Sequence, residues 1–124
     1  MAKYTNPFSS NATTMAKQFD EAFYKKDVSA IEQLINSAKL SIDDANLPQG
    51  QKPENNASKA QICYSIATSY GDIRQLKNKT NDEELINNQL FYYRESIRLI
   101  EVEEYDEDQY APYVLGFKQN LYTN

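Results

Sequence analysis

The chain predicts an all-α domain of four to five helices arranged as antiparallel hairpins. Three observations carry this. Apolar residues recur at spacings of three and four in several separate windows. No stretch of useful length alternates apolar and polar residues as a half-buried strand would. Polar breaks holding proline, aspartate or glycine separate the windows. At 124 residues the chain is one domain or part of one. Leu, Ile, Val and Phe make up only about a fifth of it, near the level at which order is at risk. The ten tyrosines shift that balance, each bringing a large apolar ring with a polar tip.

Residues 1–12 read as a flexible N-terminal segment with Pro7 and serines. Residues 13–42 read as a helical hairpin. Its first helix runs from Thr13 to Lys26, with Met15, Phe19, Ala22 and Phe23 on one face. Asp27 is a good N-cap for the second, whose stripe is Ala30, Ile31, Leu34, Ile35, Ala38 and Ile42. The short connection makes the two antiparallel neighbours. Residues 43–57, with two prolines and many polar side chains, read as a long loop.

Ser58 followed by Gln61 forms a capping-box pattern that opens a third helix running to about Lys77. Asn81 with Glu84 repeats the signal. The fourth helix carries a regular strip of Ile86, Leu90, Tyr93, Ile97 and Ile100. After the acidic residues 103–109, a fifth helix is expected to start near Pro112, which suits a first turn. Val114, Phe117 and Leu121 line it. No stop signal follows, so the last helix reads as one cut in mid-course, with an apolar face at Phe117 and Leu121 open to self-association.

Composition excludes several kinds of chemistry. The chain contains no histidine, the usual general base and commonest metal ligand. Its single cysteine forms neither an internal disulfide nor a zinc site. Cys63 as a nucleophile needs a base and an orienting group; Lys59 is the only cation near it in sequence, so core packing is the expected role. The net charge of −5 argues against direct nucleic-acid or membrane binding and leaves a basic protein partner open. No apolar leader or membrane span is visible, which points to a cytoplasmic protein. No cofactor, metal or catalytic residue is expected.

Partner-contact candidates are of two kinds. Tyr64 and Tyr92 sit off the main apolar seams of their helices. Glu103, Glu104, Asp106 and Asp108 belong to an acidic run that lacks the glycine turn of a calcium loop. The bland alternative for that run is a solvated loop.

In "KAQICYSIATSYGDI" (59–73), Ala60, Cys63, Ala67 and Tyr70 follow one seam, which Ile62, Ile66 and Ile73 widen; small residues lie between large ones, as suits a helix gripped from two sides. Cys63, Ile66, Ala67 and Tyr70 in that order resemble the first helix of a tetratricopeptide repeat. Tyr93 and Ser96 resemble its second helix, whereas Gln89 and Glu101 depart from it. The connection "QLKNKTNDEE", some ten residues, is longer than that family's tight turn. The resemblance covers most of residues 13–124 and is specific over 60–101: residues 13–42 resemble a more degenerate hairpin with Ala30 as its small residue, and 58–124 one repeat-like hairpin plus the start of a further helix. It implies a non-catalytic protein-interaction module within a larger protein.

A narrower similarity is to the repeat regions of bacterial proteins that carry a HEPN ribonuclease domain. The HEPN motif places histidine five residues after arginine; here Leu99 follows Arg94. That similarity implies a regulatory portion of such an enzyme, its catalytic part lying outside this chain. The richness in Asn, Lys and Ile is consistent with a bacterial or phage source. A further alternative from composition is a small acidic inhibitor of a nucleic-acid-binding protein.

Overall fold

The computed structural model describes residues 6–43, 55–102 and 107–123. Their regular structure is entirely helical: α1 (Ser10–Tyr24), α2 (Val28–Asp43), α3 (Asn56–Leu76), α4 (Glu83–Glu101) and α5 (Glu107–Thr123).

The caps explain where each helix begins. Ser9 caps α1, accepting from the Ala12 N–H, so α1 starts earlier than the periodicity indicated. The described part of the N-terminal segment is held in place rather than loose: Pro7 is buried, and the Ser9 N–H donates to Ser58 Oγ at 2.8 Å. Asp27 caps α2 as expected, through Ala30 N–H at 3.1 Å. For α3 the cap is Asn55, which accepts from the Ser58 N–H at 2.8 Å. Ser58 is the recipient of that cap, not its source. Asn and Ser cap about equally well, and the upstream residue wins because the Ser58 hydroxyl is committed to the N-terminal segment. Asp82, not Asn81, caps α4, accepting from Leu85 N–H at 3.1 Å.

Two helix ends close alike, with no glycine. Lys26 and Asn78 both sit at φ 55°. Asp27 N–H reaches back to Ala22 O at 3.0 Å, and Lys79 N–H to Arg74 O at 2.7 Å. This is the bond that satisfies the last carbonyls of a helix through a left-handed residue. The α3–α4 connection is therefore only residues 77–82, shorter than the ten-residue stretch the sequence indicated, because α3 absorbs Gln75 and Leu76 and α4 absorbs Glu83 and Glu84. Likewise α5 begins at Glu107 and carries Pro112 inside it. Acidic residues favour a helix N-terminus, so part of the acidic run is helical. Residues 44–54 of the expected loop lie outside the described residues.

α3 is the centre of the fold, touching all four other helices. Its large side chains and its small ones face different ways. Ile62, Ile66, Tyr70 and Ile73 join Phe19, Ile31 and Ile35 in a core shared with α1 and α2. Ala57, Ala60 and Cys63 join Leu99, Ile100, Val114 and Leu121 in a second core shared with α4 and α5. The alternation of small and large residues in 59–73 is thus the imprint of two cores on one helix.

Small residues let α4 come close. Ser96, fully buried, donates to the Ala60 carbonyl at 2.7 Å. A Cβ at Gly71 would lie 2.8 Å from Gln89 Nε2. Gln89 Oε1 in turn accepts from Arg74 Nη1 at 2.7 Å, and Arg74 also donates to Thr80 O. The face α4 buries is marked by Ser96, Leu99 and Ile100. Of the expected strip, Ile100 is buried and Tyr93 and Ile97 pack against the second core, whereas Leu90 is left 44% exposed.

Gly71→Ala sets two effects against each other. Alanine gains about 1 kcal/mol of helix propensity. Displacing the Gln89 amide loses a charge-assisted bond of about 1.5–3 kcal/mol. Chemical denaturation should show Gly71→Ala destabilising by about 1 kcal/mol. In a Gln89→Ala background the same substitution should become stabilising, a change of sign that only direct coupling produces.

The C-terminal face expected to be open is covered. Val114 and Leu121 are buried, and Phe117 packs against Phe8 and Tyr64. Among the described residues, the large apolar side chains α5 leaves outside are Tyr113, Leu115 and Tyr122.

Candidate functional site

The two tyrosines singled out from sequence lie on different sides of α4's contact with α3. Tyr92 and Tyr93 are adjacent, so their side chains leave the helix about 100° apart. Tyr92 stacks on Tyr70, with ring centroids 6.2 Å apart and planes 25° from parallel. The ammonium of Lys39, from α2, lies 5.2 Å from the Tyr70 centroid and 5.6 Å from that of Tyr92. This is cation–π geometry, and it ties α2 across α3 to α4. Tyr93 meets Tyr64 edge-on at 6.0 Å, and Tyr64 meets Phe117 edge-on at 5.7 Å. Burial, with the Tyr93 hydroxyl as a smaller contributor, pushes the Tyr64 hydroxyl above its usual value.

Beside Tyr92 a recess of about 230 Å³ opens between α2, α3 and α4. Ile42, Cys63, Phe91, Tyr92 and Leu99 form its apolar lining, and Lys59, Glu95 and Arg98 its polar part. Arg98 grips Glu95 with two bonds, Nε to Oε1 at 3.2 Å and Nη2 to Oε2 at 2.9 Å. That fork holds the Glu95 carboxyl below its usual range. Phe91 meets Tyr92 edge-on at 5.0 Å and is 56% exposed. An apolar recess with a charged, oriented border and an exposed aromatic at its lip is the anatomy of a protein-contact surface.

Cys63 is 2% exposed and belongs to the second core. Its packing role predicts slow reaction with a thiol reagent in the folded protein and fast reaction after unfolding. Cys63→Ser should leave partner binding intact. Fast native labelling would show that the thiol opens to solvent through the recess.

A second electrostatic feature lies between α1 and α3. Burial, and then the Asp20 carboxylate, push Asp72 up to about 6 from its ordinary 3.8. A carboxyl raised in this way favours the fold when protonated. Its contribution is fully present below pH 3.8 and is lost as the pH rises through about 6. Asp72→Asn should therefore stabilise the protein at pH 7.5, by on the order of 1 kcal/mol once solvent screening is allowed for. The gain should vanish near pH 4. A variant equally stable relative to wild type at both pH values would refute the assignment.

Glu103, Glu104 and Asp106 lie outside the described residues. Asp108 is in the first turn of α5, and its side chain is outside them too. Sequence reasoning missed Phe91, Arg98 and Phe8. The run "FYY" (91–93) signalled that one of three successive aromatics must face outward on a helix. Among the described residues no helix is long and apolar enough to cross a membrane. Compared with known proteins, the chain matches no family model, no curated protein and no solved structure.

Proposed function

We propose that this chain is a non-catalytic protein-interaction module built from helical hairpins resembling tetratricopeptide repeats. One observation carries the reading: Phe91 is left 56% exposed at the lip of the recess lined by Tyr92 and Cys63, and Leu90, next to it on α4, is 44% exposed. Exposing two large apolar side chains together gains nothing for the fold of this chain, and such patches mark contact surfaces. The polar border of Lys59, Glu95 and Arg98 supplies orientation at little energetic gain. The absence of histidine from the sequence agrees with a role without acid–base chemistry.

The test is capture of partner proteins by the full chain, with cross-linking and mass spectrometry. Leu90→Ser/Phe91→Ser should abolish capture while leaving the helical circular dichroism spectrum unchanged. If the double variant retains the same proteins as wild type, this face is not the contact surface. If wild type retains none, the module reading fails.

A further inference from the structure

We propose that Asn6–Ser9 is the resident occupant of a peptide-binding groove between α3 and α5, and that the groove's external partner is an extended peptide carrying a proline–aromatic pair. This goes beyond the α4 face proposed above: it adds a second contact site, on the other side of α3, to the same interaction module.

The segment precedes the first helix, and side chains of distant sequence hold its main chain. Asn6 Oδ1 accepts from the Phe8 N–H at 2.9 Å and turns the chain. The Pro7 carbonyl accepts from Asn55 Nδ2 at 2.8 Å and from Ser58 Oγ at 3.4 Å. The Ser9 N–H donates to Ser58 Oγ at 2.8 Å. Backbone groups that lie outside regular structure must find such partners when buried. Here one helix N-terminus supplies them from some 50 residues away.

The side chains add an anchor. Pro7 is buried. The Phe8 ring lies 5.3 Å from that of Phe117, which in turn meets Tyr64 at 5.7 Å. Main-chain bonds plus one aromatic in an aromatic-lined groove are the elements by which proteins read extended peptides. None of these contacts requires that the peptide be covalently joined to α1. A free peptide of the same chemistry meets the same Asn55 amide, the same Ser58 hydroxyl and the same rings.

The tether is what keeps the resident segment in place. A short linker gives an effective concentration on the order of millimolar. Against a groove with an intrinsic Kd of about 0.1 mM, that suppresses binding in trans by about tenfold. A partner therefore displaces the segment when it binds tightly or presents the motif at high local concentration.

The probe is fluorescein-labelled Thr-Asn-Pro-Phe-Ser-Ser-amide, matching residues 5–10, measured by fluorescence anisotropy against the full-length chain. Phe8→Ala, which empties the ring position, should bind it about tenfold more tightly than wild type. The probe with alanine in place of its phenylalanine should not bind. Equal affinity for wild type and Phe8→Ala, or equal affinity for both probes, overturns the proposal, as does no binding to the folded variant. Should circular dichroism show Phe8→Ala unfolded, Phe8→Leu gives up the ring contact with Phe117 but keeps part of the volume; it should still bind the probe more tightly than wild type, by a smaller factor, and no gain overturns the proposal. Capture of no protein sinks the module whatever the peptide does.

Discussion

Replacing Phe117 and Leu121 together by serine should unfold this protein far more readily, and should not make it more monomeric. Leu121 is 3% exposed and sits in the second core with Leu99 and Ile100. Phe117 fills the space between Phe8 and Tyr64. Truncating a buried leucine or phenylalanine to alanine typically costs 2–5 kcal/mol, and serine adds a hydroxyl to the vacated site. Because Phe117 is only half-buried, about 4 kcal/mol for the pair is expected, a fall in Tm of roughly 15 °C for a chain of this size. Thermal melts and sedimentation on the same samples decide it. A variant that melts like wild type but sediments as a smaller species would mean that the face is open and used between copies.

Ile66→Ala should produce the second large loss. Ile66 is fully buried at the middle of α3, in the core shared with α1 and α2. Removing its outer carbons leaves a cavity on the helix that touches all the others, so the surroundings have little freedom to collapse. A loss of about 3–4 kcal/mol is expected from denaturant titration. Leu115→Ala, at a residue 54% exposed, is the control and should stay within about 0.5 kcal/mol of wild type. If both variants lose the same amount, Ile66 is not the keystone its burial makes it.

The two results also separate the cores. Ile66 reports on the α1–α2–α3 core, and the Phe117/Leu121 pair on the α3–α4–α5 core. Because α3 contributes to both, the chain should unfold in one transition. Two transitions in the Phe117→Ser/Leu121→Ser variant would show that the second core can melt alone.

Much of this architecture is legible in the amino-acid sequence. The all-α class, five helices and the Asp27 cap follow from local rules: the 3.6-residue period, the side chains that satisfy free N–H groups, and the residues that interrupt a helix. That α3 is gripped from two sides was legible too, since small residues lie between large ones in 59–73; the division into two faces was not, and Tyr70, which the spacing puts on one seam with Ala60 and Cys63, joins the isoleucines instead. Burial of Cys63 followed from residue type and from the absence of a base. These are properties of short windows, and short windows are what a sequence displays directly.

What required the tertiary structure is what depends on distant partners. Three of the local expectations failed for that reason. Ser58 resembles a cap, but its hydroxyl binds Ser9 and Pro7, which no window around 58 contains. The strip Ile86–Leu90–Tyr93–Ile97–Ile100 looked like the buried face of α4; Ile100 is buried and Tyr93 and Ile97 pack on the second core, but Leu90 is exposed, because α3 presents small residues and Gly71 and the helix also buries Ser96 and seats Gln89 there. The segment before α1 looked loose because it carries Pro7 and serines; in its described part, Asn6–Ser9, Pro7 is held by Asn55 and Ser58 and Phe8 by Phe117. Local sequence determined which residues form helices, because hydrogen bonding within a helix spans only four residues. Only the packed structure decided which face of each helix is inside, because that depends on the volumes and free polar groups that another helix offers across the chain.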